Sequence, residues 1–202
     1  MRLNGKTAII TGGGSGFGAG IAESFSKEGA KVIIADINIK NAEKVAKQTD
    51  GIPIEIDVSS KMSVKNAFIK IQKRMTAVDI LVNNAGTTHL PMPMERVTEQ
   101  DFDDILAVNS KSVFLTAHYL VPHFKKKKAG TILNIASTAG ISPRPNLTWY
   151  NASKGWIITA TKAMAVELAP LGIRVNAINP VAGETPLLKS FLGEDTPKMR
   201  EK

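Results

Sequence analysis

A glycine-rich segment, Thr11-Gly12-Gly13-Gly14-Ser15-Gly16-Phe17-Gly18, lies between an apolar run, Thr7–Ile10, and a helical pattern that begins at Phe17. Backbone N–H groups at such a strand-to-helix turn, together with the positive end of the helix dipole, can hold a pyrophosphate. Glycine is needed there because a Cβ atom would block the tight turn and the close approach of the backbone to the phosphate. More than one glycine spacing can be read from this run, so the turn alone is weak evidence.

An acidic residue after the second predicted strand strengthens this interpretation. Asp36 follows the run Lys31–Ala35 and lies 18 residues beyond Gly18. At about this spacing a carboxylate accepts hydrogen bonds from the ribose of a bound adenosine. The alternative is that Asp36 caps the helix that follows. We favour the ribose role because strand, turn and helix come in the order that a dinucleotide-binding fingerprint requires.

Short β-branched runs alternate with longer helical patterns up to about residue 178. The predicted strands are Thr7–Ile10, Lys31–Ala35, Ile52–Ile56, Ile80–Val82, Thr131–Ile135 and Ile173–Ile178. The predicted helices are Phe17–Glu28, Lys40–Lys47, Lys61–Arg74, Glu99–Phe124 and Trp149–Leu168. Because the strands are apolar almost throughout, both of their faces should be buried. We predict an α/β fold, a doubly wound parallel sheet (Rossmann fold) in a single domain over residues 1–202, with ligands beyond the carboxyl ends of the strands.

The composition is that of an ordinary globular protein and excludes several kinds of chemistry. Of the 202 residues 43% are apolar and none is cysteine, which excludes disulfides, thiolate nucleophiles and cysteine-bound metals. The three histidines have no spacing that indicates a metal site, so we predict none. No apolar segment is long enough to span a bilayer and the N-terminus shows no secretory pattern. We expect a cytoplasmic protein with no membrane partner.

The net charge of +8 raises the question of a nucleic-acid partner. Only Lys125–Lys128 form a run of cations, and they follow a helical pattern. Cations at that position favourably meet the negative end of the helix dipole. We therefore interpret these lysines as the end of a helix and expect no nucleic-acid partner.

Tyr150 and Lys154 are four residues apart at the start of a helical segment, so their side chains share one face of the helix. The pKa of a tyrosine is ordinarily about 10, and a neighbouring ammonium lowers it toward neutral pH. Alone, such a pair is common on exposed helices. Ser137 lies 13 residues before Tyr150, where its hydroxyl can face the same crevice. The three residues together indicate acid/base chemistry at a carbonyl or alcohol carbon.

In these motifs the chain resembles a classical short-chain dehydrogenase/reductase over almost its entire length. Thr11-Gly12-x-x-x-Gly16-x-Gly18 resembles the glycine motif of that family, and Asn83-Asn84-Ala85-Gly86 resembles its sheet-stabilising motif. Ser137 with Tyr150-x-x-x-Lys154 resembles the active site, and Asn109 falls where the family places a fourth catalytic residue. The resemblance implies an NAD(P)-dependent oxidoreductase that acts on CH–OH groups and forms a homo-oligomer, a dimer or a tetramer.

The resemblance also implies a role for each catalytic residue. Tyr150 would be the general acid/base, and Lys154 would bind the nicotinamide ribose and lower the pKa of the tyrosine. Ser137 would hydrogen-bond the substrate oxygen, and Asn109 would hold a water that links Lys154 to solvent. For Asn83 we prefer a structural role, as a side chain that bridges neighbouring strands.

The cofactor that we predict is NAD rather than NADP. A carboxylate at Asp36 would repel a 2′-phosphate, and no arginine occupies the glycine-rich turn or the residues directly after Asp36. Asp57 and Val58 would contact the adenine, and Asn84 the adenosine side of the cofactor. The complete set assigned to cofactor binding is Gly12, Ser15, Gly16, Phe17, Gly18, Asp36, Asp57, Val58, Asn84, Tyr150, Lys154, Pro180, Gly183 and Thr185.

The sequence departs from the family pattern in two places. After the sixth strand the family shows Pro-Gly and then a threonine, whereas Pro180-Val181-Ala182-Gly183-Glu184-Thr185 has no glycine at 181. Contacts from the 183 backbone and from Thr185 to the nicotinamide amide still fit. We expect residues 182–202 to be an incomplete substrate-loop segment that lacks the family's last helix and last strand. In the family those elements line the substrate pocket and one oligomer interface.

We predict an oxidoreductase that transfers a hydride between NAD and a secondary alcohol or ketone of small size. The alternative is a 3-oxoacyl-carrier-protein reductase of fatty-acid synthesis, in which Lys125–Lys128 would meet an acidic carrier. A more remote alternative is a dinucleotide-binding protein without catalysis. A protein that only binds would not need Asn109, Ser137, Tyr150 and Lys154 in these positions.

Overall fold

The computed structural model describes residues 1–75 and 77–192. Its strands are β1 (Thr7–Thr11), β2 (Lys31–Asp36), β3 (Ile52–Glu55), β4 (Ile80–Asn83), β5 (Gly130–Ile135) and β6 (Ile173–Ile178). Its α-helices are α1 (Gly16–Lys27), α2 (Ile39–Thr49), α3 (Lys61–Arg74), α4 (Glu99–Ile105), α5 (Ser112–Lys127), α6 (Thr148–Leu168) and α7 (Leu188–Leu192). The part of the predicted substrate-loop segment beyond residue 192 lies outside the described residues.

The strands form one parallel sheet in the order β3-β2-β1-β4-β5-β6. The strand order reverses at β1, because β1 pairs with β2 on one side and with β4 on the other. Consecutive parallel strands need long crossover connections, and the helices supply them. The predicted Rossmann sheet is confirmed, and the carboxyl ends of β1 and β4 mark the point where such sheets bind ligands.

Both faces of the sheet are buried, as the apolar strands predict. Along β1 the side chains alternate between the two faces because successive residues of a strand point in opposite directions. Ile9 packs in a core cluster with residues of α3 and α5, such as Phe68 and Phe124. Ala8 and Ile10 pack in a second cluster with residues of α1 and α2. The helices therefore cover the sheet from both sides.

The prediction of one long helix over Glu99–Phe124 is wrong in its middle. Residues Leu106–Lys111 form a π-helical segment between α4 and α5. A π segment widens the helix by one residue per turn and frequently lies at a functional site. Asn109 is in this segment and is 1% exposed. Apolar periodicity does not reveal such a segment, since it continues on both sides of it.

The basic run lies at the edge of the sheet where strands begin. Lys125, Lys126 and Lys127 form the last turn of α5, which confirms their interpretation as a helix end. Lys127 forms an ion pair with Asp79 and donates to the backbone oxygen of Val78, just before β4 begins. This cluster is therefore at the amino edge of the sheet, opposite the carboxyl ends of the strands.

A chain of buried amides and hydroxyls crosses the centre of the sheet. Asn83 Nδ2 on β4 donates to Asn134 Oδ1 on β5 over 2.8 Å. Thr116 of α5 donates to Asn83 Oδ1 over 2.8 Å, and Asn134 donates to Thr161 of α6 over 2.8 Å. The preferred structural role of Asn83 is confirmed, because its side chain bridges two strands and a helix.

Candidate active site

A cavity of about 520 Å³ opens at the carboxyl ends of the strands. Most residues that the sequence analysis assigned to a site line it: Gly12, Ser15, Gly16, Phe17, Asp36, Asp57, Val58, Asn84, Ser137, Tyr150, Lys154, Pro180, Gly183 and Thr185. Gly18 and Asn109 do not line the cavity, although both lie next to residues that do. The fold therefore brings residues of distant segments together around one cavity.

The end of β4 holds the glycine-rich turn in place. The Thr11 hydroxyl accepts hydrogen bonds from the backbone N–H groups of Asn84 (3.0 Å) and Ala85 (3.2 Å). Asn84 Nδ2 donates to the carbonyl oxygens of Thr11 (2.9 Å) and Gly12 (3.0 Å). Asn84 thus shapes the turn with both of its N–H groups, and Thr11 has a positioning role that the sequence analysis did not assign.

The turn leaves backbone donors at the start of α1. Gly12 and Gly16 have φ angles of +60° and +51°, in the left-handed region that favours glycine. Ser15 precedes α1, and its side chain makes no capping hydrogen bond. The first N–H groups of a helix have no intrahelical partner and carry partial positive charge, so this end of α1 suits an anionic group.

Gly18 has a steric role, and replacing it with Ala should destabilise the protein by about 1–3 kcal/mol. A Cβ atom there would lie 2.1 Å from the Gly12 carbonyl oxygen and 2.6 Å from Asn84 Nδ2, so the turn would have to move. Gly20 on the same helix is the matched control, since nothing lies within 4 Å of a Cβ placed there. Gly20→Ala should stabilise by about 0.5–1 kcal/mol. Denaturant unfolding of both variants measures this, and equal effects would refute the steric role.

Asp36 lies at the end of β2 with its carboxylate beside the glycine-rich turn. Its Oδ2 accepts from the Gly14 N–H and its Oδ1 from the Asn38 N–H, each over 2.9 Å. Asn38 is the N-cap of α2, because its side chain accepts from the Asn41 N–H. The alternative that Asp36 caps this helix is therefore wrong. Each carboxylate oxygen can accept a second hydrogen bond, so Asp36 can also accept from a ligand.

Tyr150 and Lys154 lie on the first turns of α6, and each is 5% exposed. Lys154 Nζ lies 5.8 Å from the centre of the Tyr150 ring and donates to the Ile135 carbonyl oxygen over 2.9 Å. Ser137, just after β5, accepts from the Ala139 N–H over 3.1 Å, which orients its hydroxyl. Helix α6 and strand β5 thus bring three polar side chains to the same end of the cavity.

Burial decides the protonation of this pair. It lowers the pKa of Lys154 to about 8. It raises the pKa of Tyr150, while the Ser137 hydroxyl and the charge of Arg144 lower it in part. The prediction that the pKa of Tyr150 is lowered is therefore wrong. Burial destabilises the charged phenolate, and this raises the pKa by more than the Ser137 hydroxyl and the charge of Arg144 lower it.

Asn109 uses its amide to position its neighbours. Its Oδ1 accepts from the Thr87 N–H (2.9 Å), and its Nδ2 donates to the Thr87 carbonyl oxygen (3.0 Å) and to Ser153 Oγ (2.9 Å). Ser153 in turn donates to the Tyr150 carbonyl oxygen over 2.7 Å. The π segment is therefore joined to the first turns of α6 through side chains that the sequence does not place together.

Two kinds of structure are not found among residues 1–75 and 77–192. No group of three or more His, Cys, Asp or Glu side chains there could hold a metal ion. No helix in the same part of the chain is long and apolar enough to cross a membrane.

Comparison with known proteins identifies the family. The family model described as short chain dehydrogenase matches residues 6–195. The chain belongs to this family. It is an oxidoreductase that acts on CH–OH groups and uses a nicotinamide dinucleotide cofactor.

Named relatives of this short-chain dehydrogenase act on different substrates. This chain is 43% identical to the 4-formylbenzenesulfonate dehydrogenase of Comamonas testosteroni, over 100% of this chain and 82% of the relative. It is 39% identical to a 3-oxoacyl-acyl-carrier-protein reductase of Thermotoga maritima, over 95% of this chain and 79% of the relative. A crystal structure of a 3-ketoacyl-acyl-carrier-protein reductase from Brucella melitensis with NADH is 48% identical, with a TM-score of 0.94 over 98% of this chain and 83% of that one.

The cavity of this short-chain dehydrogenase also has lining residues that the sequence analysis missed. Arg144 and Leu147 come from the segment between Ser137 and Tyr150, and Phe191 comes from α7. The Phe191 ring meets the Tyr150 ring edge to face, with centroids 4.9 Å apart. The sequence Pro143-Arg144-Pro145 was a visible signal for Arg144, because prolines hold the residue between them in a restricted backbone conformation.

Proposed function

We propose that this chain transfers a hydride between NAD and the carbon of a secondary alcohol or ketone, with Tyr150 as the general acid/base. The observation that carries the proposal is one cavity lined by Asp36 at the end of β2 and by Ser137, Tyr150 and Lys154 at the end of β5 and the start of α6. A space with a carboxylate, a helix N-terminus and an acid/base group suits a dinucleotide and a small substrate together.

The residues present fit the cofactor. Asp36 would accept from the adenosine ribose, and Asp57 and Val58 would contact the adenine. Ser15, Gly16 and Phe17 lie at the start of α1, where a pyrophosphate meets free backbone donors. Gly86 also lines the cavity, close to the Lys154 ammonium that we assign to the nicotinamide ribose.

The remaining contacts would come from the loop after β6. A Cβ atom at Gly16 would lie 3.0 Å from Thr185 Cβ, and one at Gly183 would lie 2.5 Å from Phe17 Cζ. The loop therefore rests directly on the glycine-rich turn. This contact supports the assignment of Pro180, Gly183 and Thr185 to cofactor binding.

The polar side chains at the reacting end have distinct roles in the proposed reaction. The bound nicotinamide would accept the hydride from the alcohol carbon in one direction and return it in the other. Tyr150 takes the hydroxyl proton during oxidation and gives it back during reduction. Ser137 hydrogen-bonds the substrate oxygen and stabilises the charge that develops on it. Lys154 holds the ribose, and its charge favours the phenolate form of Tyr150. Asn109 acts by positioning Thr87 and Ser153 beside this group.

Asp36 should make the protein prefer NAD to NADP. A carboxylate beside the 2′-position repels a phosphate there, and no arginine or lysine side chain lines the cavity at this end among the described residues. Asp36→Ser should reduce the preference, measured as the ratio of kcat/KM with the two cofactors, by about tenfold or more. Glu55→Ser is the matched control, because Glu55 pairs with Asp36 across the sheet and does not line the cavity. An unmodified protein with higher kcat/KM for NADP would show that the assignment of Asp36 is wrong.

The second candidate is a 3-oxoacyl-carrier-protein reductase. Two compared proteins carry that name, which favours it. The docking surface suggested by the sequence does not support it, because Lys125–Lys128 lie at the amino edge of the sheet and the cavity at the carboxyl edge. A carrier protein would have to dock elsewhere.

One assay separates these possibilities. Secondary alcohols with NAD, ketones with NADH and a 3-oxoacyl thioester with NADH are each followed by the absorbance of the reduced nicotinamide. Turnover of the thioester alone supports the second candidate. Binding of NAD by calorimetry with no turnover of any compound supports a protein that only binds, and contradicts the proposal. The cytoplasmic location and the homo-oligomer stay predictions.

A further inference from the structure

A cation exposed to solvent lies at the reacting end of the cavity. The charged residues that line the cavity are Asp36, Asp57, Arg144 and Lys154. The two aspartates follow β2 and β3, at the end that we assign to adenosine, whereas Arg144 comes from the segment between Ser137 and Tyr150. Lys154 is buried and Arg144 is exposed. Among the described lining residues, Arg144 is thus the cation that a ligand meets on entering from solvent.

The backbone holds Arg144 in a defined position. Pro143 and Pro145 flank it, so one neighbour has a fixed φ angle and the other restricts Arg144 to extended conformations. Asn151 Nδ2, on the first turns of α6, donates to the Arg144 carbonyl oxygen over 2.7 Å. The segment that carries the guanidinium is therefore fixed to the same helix as Tyr150. A side chain whose backbone is held in this way loses less conformational freedom on binding.

The guanidinium is available for a ligand. The ion pairs found within residues 1–75 and 77–192 involve Arg2, Lys6 and Lys127, and none involves Arg144. A guanidinium has five N–H donors and binds carboxylate, sulfonate or phosphate oxygens in pairs. Arg144 and Tyr150 line the same cavity. A substrate whose oxygen contacts Tyr150 can therefore extend toward the Arg144 side chain.

The walls beside Arg144 are apolar. Ala139, Leu147 and the Tyr150 ring form a buried cluster, and Phe191 packs against it. Leu187 and Leu188 line the same cavity. Such walls favour a hydrocarbon or aromatic body over a polyhydroxylated one, because a sugar would leave hydroxyl groups without hydrogen-bond partners.

We propose that Arg144 is a specificity-determining residue that binds an anionic group on the substrate, so that the substrate class is an apolar alcohol or ketone bearing a carboxylate, sulfonate or phosphate. This inference rests on the proposed function for the chemistry of the reaction. During alcohol oxidation the substrate carbon loses a hydride to NAD and the substrate oxygen loses a proton to Tyr150. The anionic group of the substrate is unchanged and serves only for recognition.

Matched substrates and variants test the inference. One substrate pair is 4-(1-hydroxyethyl)benzoate and its amide, and a second with a shorter spacing is 3-hydroxybutanoate and its amide. Each amide keeps the shape of its acid and removes the charge. Arg144→Gln removes the cation, and Arg174→Gln is the control, since Arg174 is exposed near the start of β6 and does not line the cavity. The quantity compared is the ratio of kcat/KM for acid and amide, which cancels any general effect on Tyr150.

We expect the unmodified protein to prefer at least one acid over its amide by about 10- to 100-fold, as a charge-assisted hydrogen bond provides. Arg144→Gln should bring the ratio close to one by lowering kcat/KM for the acid far more than kcat/KM for the amide, and Arg174→Gln should leave the ratio unchanged. An unchanged ratio in Arg144→Gln overturns the inference.

A binding measurement separates this inference from the proposed function. Calorimetry with NAD present compares the Kd of 4-acetylbenzoate and 4-acetylbenzamide without any turnover. A preference for the acid that Arg144→Gln removes supports the anion site even if the protein turns over no alcohol, in which case only the proposed function fails. If the unmodified protein neither binds nor turns over any acid better than its amide, the inference is wrong.

Discussion

Replacing Tyr150 with Phe should lower kcat by about 10²–10⁴-fold and leave the affinity for NAD nearly unchanged. The substitution removes one hydroxyl and keeps the ring that packs against Phe191, so the cavity should keep its shape. Asp36 and the glycine-rich turn, which we assign to the adenosine ribose and the pyrophosphate, are untouched. The variant loses the hydroxyl that we propose exchanges a proton with the substrate oxygen, an interaction made mainly in the transition state.

The control for this variant is Tyr119→Phe. Tyr119 is the other tyrosine of the chain, and it packs against Phe68 and His118 away from the cavity. The two variants lose the same atom, so they separate the chemistry of the hydroxyl from its effect on folding. Steady-state kinetics and calorimetry with NAD provide both quantities. A Tyr150→Phe protein with near-full turnover would remove the proposed mechanism, and with it the reason to exclude a protein that only binds.

Replacing Lys154 with Met should lower kcat/KM by about 10²-fold or more and weaken NAD binding as well. Met keeps much of the volume of the buried side chain, so loss of packing is small. The variant loses the ammonium assigned to the nicotinamide ribose together with the positive charge 5.8 Å from the Tyr150 ring. The simultaneous loss of affinity and rate distinguishes this variant from Tyr150→Phe. Lys162→Met, an exposed lysine on the same helix, is the control.

The pH dependence gives a second signature of Lys154. In the proposed reaction, alcohol oxidation requires the phenolate form of Tyr150, so its rate should rise with pH. Burial raises the pKa of Tyr150, and the Ser137 hydroxyl and the charge of Arg144 oppose that effect. The proposed role of Lys154 adds a second cation that favours the phenolate. Because burial lowers the pKa of Lys154 to about 8, this lysine is charged at neutral pH and loses its charge as the pH rises above that value. In Lys154→Met the rise in kcat/KM for oxidation should therefore begin at higher pH. A profile that coincides with that of the unmodified protein would show that Lys154 does not act on the tyrosine.

The strands and helices could be predicted from the sequence because their signals are local. The strand Ile173–Ile178 and the helix Lys61–Arg74 have the predicted bounds, and the other strands differ by one residue at an end. The helix prediction failed where the backbone conformation accompanies contacts with residues far away in the sequence. The π segment Leu106–Lys111 interrupts the predicted helix, and within it Asn109 bonds to Thr87 and to Ser153, 22 and 44 residues away. No periodicity encodes such contacts.

The doubly wound sheet, the position of the glycine-rich turn and the spacing of Tyr150 and Lys154 follow from the sequence alone, since these depend on residues near one another in the chain. The environment of those groups depends on the tertiary structure. Burial raises the pKa of Tyr150, whose ring packs against Phe191. The segment that carries Arg144 is joined to the helix of Tyr150 because Asn151 on that helix donates to the Arg144 carbonyl oxygen. Desolvation and the convergence of side chains depend on distances between segments far apart in the chain, which no local pattern contains.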